Sequence, residues 1–289
     1  MKRFDELNPW ALFVYYLSVI GITMFSMKPM LLAISLLSSV CCFVESRAGN
    51  RRSHLFALTL FIIAAALNPI FVHKGATVLF YVNDRPFTLE ATIYGLVAAA
   101  MLIAALYRLR SMSAAFTSDK ALYLFGRVSP KAALLLSMSI RYIGLFKMRW
   151  RKIQDSQRAL GLYDDGNLID AVKGRARVLS VLITWTLENG IITAESMESR
   201  GYGAGRRSSY AVYRIHSEDI AVIVLCAVLD AITVLGVTHT QAVFYPKLGF
   251  ELFTPWGIAG TAAFALLGFL PVIINAKEAV RWRCLTSGI

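Results

Sequence analysis

Two segments of this chain end alike. Arg158-Ala159-Leu160-Gly161 and Glu198-Ser199-Arg200-Gly201 each place a cation near the close of a helical pattern and a glycine just past it. Taken singly, each is an ordinary helix end, since glycine accepts the left-handed backbone there and a cation suits the negative pole of the helix dipole. The chemistry open to the repeated pair is recognition: an arginine at a protruding helix end offers a planar fork of donors that can seat bidentately on a carboxylate in a partner's groove. A third candidate is Asp230 in CAVLDAITVLG. An acid within an apolar run is a functional candidate because burying its charge is expensive, and the competing reading is a neutral or paired group at a helix contact.

Other chemistry finds no footing in the residue types. No GxxxxGK[ST] occurs, and Gly201, Gly203 and Gly205 follow a helical pattern instead of a strand, without the lysine-hydroxyl pair a phosphate loop needs. HExxH, GxSxG and paired catalytic carboxylates are absent from the sequence, and Cys41, Cys42, Cys226 and Cys284 show no zinc-ligand or disulfide spacing. His54, His73, His216 and His239 stand alone along the chain. We therefore expect no catalytic residue, cofactor or metal ligand in this chain.

The elements that must position the two helix ends follow from composition. Of 289 residues, 57% are hydrophobic, above the roughly 45–50% of soluble domains, which points to a polytopic membrane protein. The net charge of +12 does not require nucleic acid, because the basic residues punctuate apolar runs in the manner of topology signals. Six runs approach the roughly 17–25 residues a spanning helix needs: 10–27, 29–45, 55–73, 88–107, 219–238 and 256–276. The first two almost touch at Met27-Lys28-Pro29 and read as a tight helical hairpin. The amino-terminal run reads as a retained span, since a second run follows without a small-residue cleavage site. The small residues Ala64-Ala65-Ala66 and Ala98-Ala99-Ala100 suit close helix packing, within the chain or against a partner.

With the amino terminus inside, only Lys28, Lys74, Arg85 and Lys247 of the 30 lysines and arginines fall outside segments 1–9, 46–54, 108–218 and 277–289. That bias is the positive-inside rule. Two further apolar stretches, 132–146 and 178–194, are interrupted by Arg141 and by Glu188-Asn189-Gly190, and sending them across would export many cations or invert the basic tail. They read as helices at or under the cytoplasmic face. Ser129-Pro130 opens the first of these helices, which runs to Gly161; the second runs from about Leu168 to Arg200 with a break or bend near Asn189-Gly190. The expected architecture is all-α and polytopic: about four spans in 1–107, a cytoplasmic helical region in 108–218, and two spans with a cytoplasmic tail in 219–289.

At MESRGYGAGRRSSY the residues resemble the second signature of the transmembrane T component of energy-coupling factor transporters, the EcfT/CbiQ family. ALNPIFVHKGATVLFYVNDRPFTLEATIYGL (66–96) and SPKAALLLSMSIRYIGLFKMRWRKIQDSQRALG (129–161) look like family segments in the expected order. The resemblance implies a prokaryotic plasma-membrane scaffold that joins two cytoplasmic ABC-type ATPase subunits to a small membrane S component. ATP-Mg would bind in the partner ATPases, coupling helices would carry their motion, and the cargo would be a vitamin or a transition-metal ion such as cobalt or nickel. Ser199-Arg200-Gly201 matches the second Ala-Arg-Gly-type motif with serine for alanine, and Ala159-Leu160-Gly161 matches the first with leucine for arginine, Arg158 standing two positions earlier. The alternative class is an independent secondary carrier or channel with 108–218 as a regulatory insert; neither inverted hydropathy repeats nor a ladder of mid-membrane polar groups favours it.

Overall fold

The computed structural model describes residues 4–45, 51–72, 75–82, 85–162, 168–205, 213, 215–240, 242–245, 249–250 and 254–286. The described chain is an all-α membrane protein. Its helices are α1 (Pro9–Phe25), α2 (Pro29–Glu45), α3 (Arg51–Phe71), α4 (Leu89–Ala115), α5 (Ser118–Val128), α6 (Pro130–Ala159), α7 (Leu168–Ser199), α8 (Ser217–Thr238) and α9 (Pro255–Thr286). Among them α3, α4, α8 and α9 are long and apolar enough to cross a membrane. Helices α1 and α2 are apolar but only 17 residues each, about 26 Å of rise against a hydrocarbon core of about 30 Å. Two short antiparallel hairpins were not expected from the sequence: β1 (Val78–Val82) with β2 (Arg85–Thr88), and β3 (Ala242–Val243) with β4 (Gly249–Phe250).

The chain forms two compact units, one made of residues up to Ala121 and from Tyr213 onward, the other of Leu122–Val212. In the first, α4 packs on α1, α2 and α3, while α9 packs on α2 and α8. The tight α1–α2 hairpin expected from sequence is looser than that, because α1 buries its apolar face mainly on α4 and α8, and α2 on α4 and α9. Tyr15, Val19, Leu31, Phe264 and Leu267 form the centre of the core. Gly95 brings α4 close to α3, where an added β-carbon would lie 2.8 Å from the Ala65 carbonyl oxygen. The small residues at that contact thus work within this chain.

Two sets of loops gather at opposite ends of this unit. At one, Lys28 donates to the carbonyls of Val237 and Thr240 and to Thr240 Oγ1, closing the C-terminus of α8, and after β3 Phe244 packs edge to face and Tyr245 tilted against Tyr94. At the other, the Phe4 amide donates to Asn275 Oδ1, the Asn8 amide donates to Asp219 Oδ1, and Lys120 donates to the carbonyls of Asp5 and Ala115. Both lysines satisfy carbonyls that a helix end leaves unpaired. Burial lowers the pKa of each below the usual lysine value.

The second unit is built on α6 and α7, packed antiparallel. Ser129 caps α6, accepting from the Ala132 amide, with Pro130 in the first turn, as the sequence predicts. Helix α7 is continuous from Leu168 to Ser199, so the expected break at Asn189-Gly190 does not occur. The Asn189 side-chain amide donates to the Trp185 carbonyl one turn back, so its competing polar group is satisfied without interrupting the helix.

Candidate functional site

Helices α6 and α7 end in the same motif. The Gly161 amide donates to Arg158 O at 3.0 Å and the Leu162 amide to Gln157 O at 3.0 Å; the Gly201 amide donates to Glu198 O at 2.9 Å and the Tyr202 amide to Met197 O at 2.9 Å. These are the paired bonds of a Schellman ending, with Gly161 at φ +68° and Gly201 at φ +82°. Only glycine takes that conformation without strain.

The shared geometry gives both ends the register in which the motifs align. Leu160 and Arg200 occupy the same position, the last residue before the glycine, and Ala159 and Ser199 the position before that. Arg158 stands a further residue back, where Glu198 stands in α7. All of these residues are exposed, and Leu160 shows 70% of its surface. Ser199 turns its hydroxyl back to the Ser196 carbonyl. Arg206 and Arg207 lie outside the described residues.

The two ends point away from each other along the helix pair. Arg177 of α7 donates to the Leu162 carbonyl at 3.2 Å, fixing the end of α6 near the start of α7. Tyr142 of α6 meets Thr193 of α7 at 3.2 Å. From Arg177 to Arg200, α7 rises roughly 35 Å at 1.5 Å per residue. Between the ends, Phe146 and Trp185 pack edge to face and the Arg149 guanidinium lies 4.9 Å from the Trp185 ring centroid. What the pair can do is present two chemically distinct tips, the apolar Leu160 and the cationic Arg200, about 35 Å apart along one packed helix pair.

Asp230 lies in α8, half-buried, against Ser18 of α1, with Oδ1 buried and without a hydrogen-bond partner among the described residues. It belongs to the first unit, and the two helix ends to the second.

Sequence reasoning missed Arg108. The apolar run 88–107 suggested a helix end before this residue; α4 instead continues to Ala115 and Arg108 is fully buried at 0% exposure. Its Nη1 donates to Tyr15 Oη at 2.9 Å and to Cys42 Sγ at 3.3 Å, and its Nη2 to Ser38 Oγ at 2.7 Å and to the Gly268 carbonyl at 2.9 Å. One guanidinium thereby ties α4 to α1, α2 and α9. No carboxylate pairs with it among the described residues, and Nε has no partner there. A signal did exist: Arg108 and Arg110 are two apart, so they fall on opposite faces of the helix, and only Arg110 reaches the rim, over the Phe56 ring.

No family model matches the chain. It is similar to curated proteins named energy-coupling factor transporter transmembrane protein EcfT. The match to that of Lactobacillus helveticus is 30% identical over 122 residues, 42% of this chain and 44% of the relative. That of Streptococcus equi subsp. equi is 31% identical over 98 residues, 33% of this chain and 36% of the relative. That of Lacticaseibacillus paracasei is 30% identical over 89 residues, 30% and 34% of the two chains. The matched part of this chain spans less than half the length of these relatives. The matches support the EcfT/CbiQ resemblance read from the residues.

Proposed function

We propose that this chain is the transmembrane T component of an ATP-driven uptake transporter of the energy-coupling factor type. Helices α6 and α7 are its coupling helices: the end of α6 at Leu160 seats on one cytoplasmic ABC-type ATPase subunit and the end of α7 at Arg200 on the other. The observation that carries this is the pair of matching exposed helix ends held roughly 35 Å apart along one packed helix pair, in a chain similar to EcfT proteins. A pair of tips that far apart suits two separate subunits better than one groove.

In this reading the amino terminus, the 46–54 loop, 108–218 and the carboxyl tail face the cytoplasm of a prokaryotic cell. The chain itself is non-catalytic, ATP-Mg binds in the ATPase subunits, and a small membrane S component brings the cargo, a vitamin or a transition-metal ion. Affinity purification of the tagged chain from its native membrane in mild detergent tests it. Two ATPase chains and a small membrane protein should copurify; recovery of the chain alone, fully functional in uptake, would favour a self-sufficient carrier and overturn the proposal.

A further inference from the structure

Between the C-terminal half of α6 and the middle of α7 runs an open cleft of about 720 Å³. Its polar lining is Arg149, Lys152, Gln157, Ser180, Thr184 and Glu188. We infer that this cleft receives an acidic side chain, with the backbone around it, from the ATPase subunit that docks at the end of α6. The inference rests on the T-component reading above and adds to it a second point of contact.

The groups in the cleft state what they need. Arg149 is held by its stacking on Trp185 and keeps its N–H edges available. Lys152 stands one turn further along the same face. Neither cation, nor Glu188, has an ion-pair partner among the described residues. Gln157 Oε1 is buried without a hydrogen-bond partner there, a cost that native proteins rarely carry without a reason. Ser156, which also borders the cleft, and Thr184 give their hydroxyl protons to the carbonyls of Lys152 and Ser180, so they offer lone pairs outward. The cleft thus asks for an anion beside Arg149 and Lys152 and for donors beside Gln157, Thr184 and Glu188. A free inorganic anion meets only the first demand. A polypeptide segment carrying Asp or Glu meets both, its amides serving as the donors.

Position selects the same occupant. Gln157 is three residues from Leu160, about 5 Å of helix rise, so a chain seated on the apolar tip of α6 reaches the cleft directly. The tip lacks the arginine that α7 carries at the equivalent place, and Arg149 and Lys152 supply the missing cationic contact a few turns back.

The test uses the whole transporter with its coexpressed ATPase subunits. Lys152→Glu should lower ATPase retention at least roughly tenfold. Gln157→Leu should lower it severalfold while the isolated membrane subunit unfolds at the same or a higher temperature, because an unsatisfied acceptor has been removed. A benzoylphenylalanine photo-crosslinker at Ser180 should capture one ATPase chain. If the ATPases copurify with the parent but retention is unchanged in both variants, the cleft assignment is wrong and the T-component reading stands. Gln157→Leu destabilising the subunit as much as it weakens retention would make the residue structural and sink the assignment. Crosslinking to a phospholipid alone would make the cleft a headgroup site, and absence of any ATPase in the parent preparation would overturn both proposals.

Discussion

Replacing Arg108 by methionine, and separately by alanine, separates the volume of the buried side chain from its charge. The guanidinium makes bonds of 2.7–2.9 Å to three oxygens and one of 3.3 Å to a sulfur. Bonds to a charged group contribute about 1.5–3 kcal/mol each. Against them stands the desolvation of a full charge with no carboxylate nearby, several kcal/mol even after relaxation. Replacing buried charged groups by well-packed apolar ones of similar volume is often neutral or stabilising, because the desolvation cost leaves with the charge, so the volume becomes the larger difference between variants. The partners also keep other bonds: Tyr15 donates to the Gly268 carbonyl and Ser38 to the Ser35 carbonyl, so methionine leaves few orphans.

We therefore predict that Arg108→Met shifts stability by less than about 1.5 kcal/mol in either direction, whereas Arg108→Ala opens a cavity among four helices and costs about 3–5 kcal/mol. Thermal unfolding of the detergent-solubilised subunit, followed by loss of its monodisperse peak, measures both. Methionine and alanine unfolding at the same depressed temperature would refute the reasoning, because the charge and its bonds would then hold the bundle and not the filled volume. Gly268→Ala provides an internal check, since its β-carbon would lie 2.8 Å from Ser38 Oγ and 3.3 Å from Arg108 Nη2; it should be tolerated better in the Arg108→Met background than alone.

Four further outcomes are expected. Arg200→Ala should weaken ATPase association by about 2–5 kcal/mol, roughly 30- to several-thousand-fold, and Arg200→Glu by more, while Arg206→Ala and Arg207→Ala are milder; retention at matched membrane levels reads the ranking. Leu160→Asp should weaken assembly more than Arg158→Ala, because the equivalent of Arg200 on α6 is Leu160; the reverse ranking in the same assay would give the contact to Arg158. Single cysteines at Asn83 and Lys247 in a cysteine-free background should react with an impermeant thiol reagent on intact cells, and labelling at Asn50 at the Asn83 rate would invert the topology. Burial lowers the pKa of Lys28 and Lys120 in the folded state below the usual 10.5, so the folded form releases these protons first. Stability from this source should rise as pH climbs toward that value, and the rise in unfolding temperature should be smaller in a Lys28→Met/Lys120→Met variant.

Much of this fold was legible because it follows from burial in two solvents. The apolar runs that became α1, α2, α3, α8 and α9 begin and end within a few residues of their expected bounds, apart from the extension of α9 to Thr286. Ser129-Pro130, Gly161 and Gly201 marked helix ends through local backbone preference alone. The sequence was silent where one local signal serves two outcomes. A glycine after a cation closes a helix whether or not a partner reads the tip; the motif alignment set Leu160 opposite Arg200, and the hydrogen bonds at Gly161 and Gly201 place the two residues in the same backbone register.

Arg108 was hidden for the opposite reason. A charge at the close of an apolar run counts as a marker of the membrane edge, and the positive-inside rule weighs it as one more cation in a loop. The rule sums charges and takes no account of helical phase. Along α4, Tyr107, Arg108 and Ser111 are all buried, one to four residues apart, and three elements that lie far off in sequence supply the acceptors. No local window contains Tyr15, Ser38 and Gly268 together with the arginine they satisfy. A buried cation whose acceptors are a phenol, a hydroxyl, a thiol and a backbone carbonyl is a property of the packed bundle, and its cost is carried only if that packing forms. The same logic bears on Gln157: its unsatisfied oxygen is a cost that α6 and α7 leave unmet by themselves, and a docked acidic segment is what would meet it.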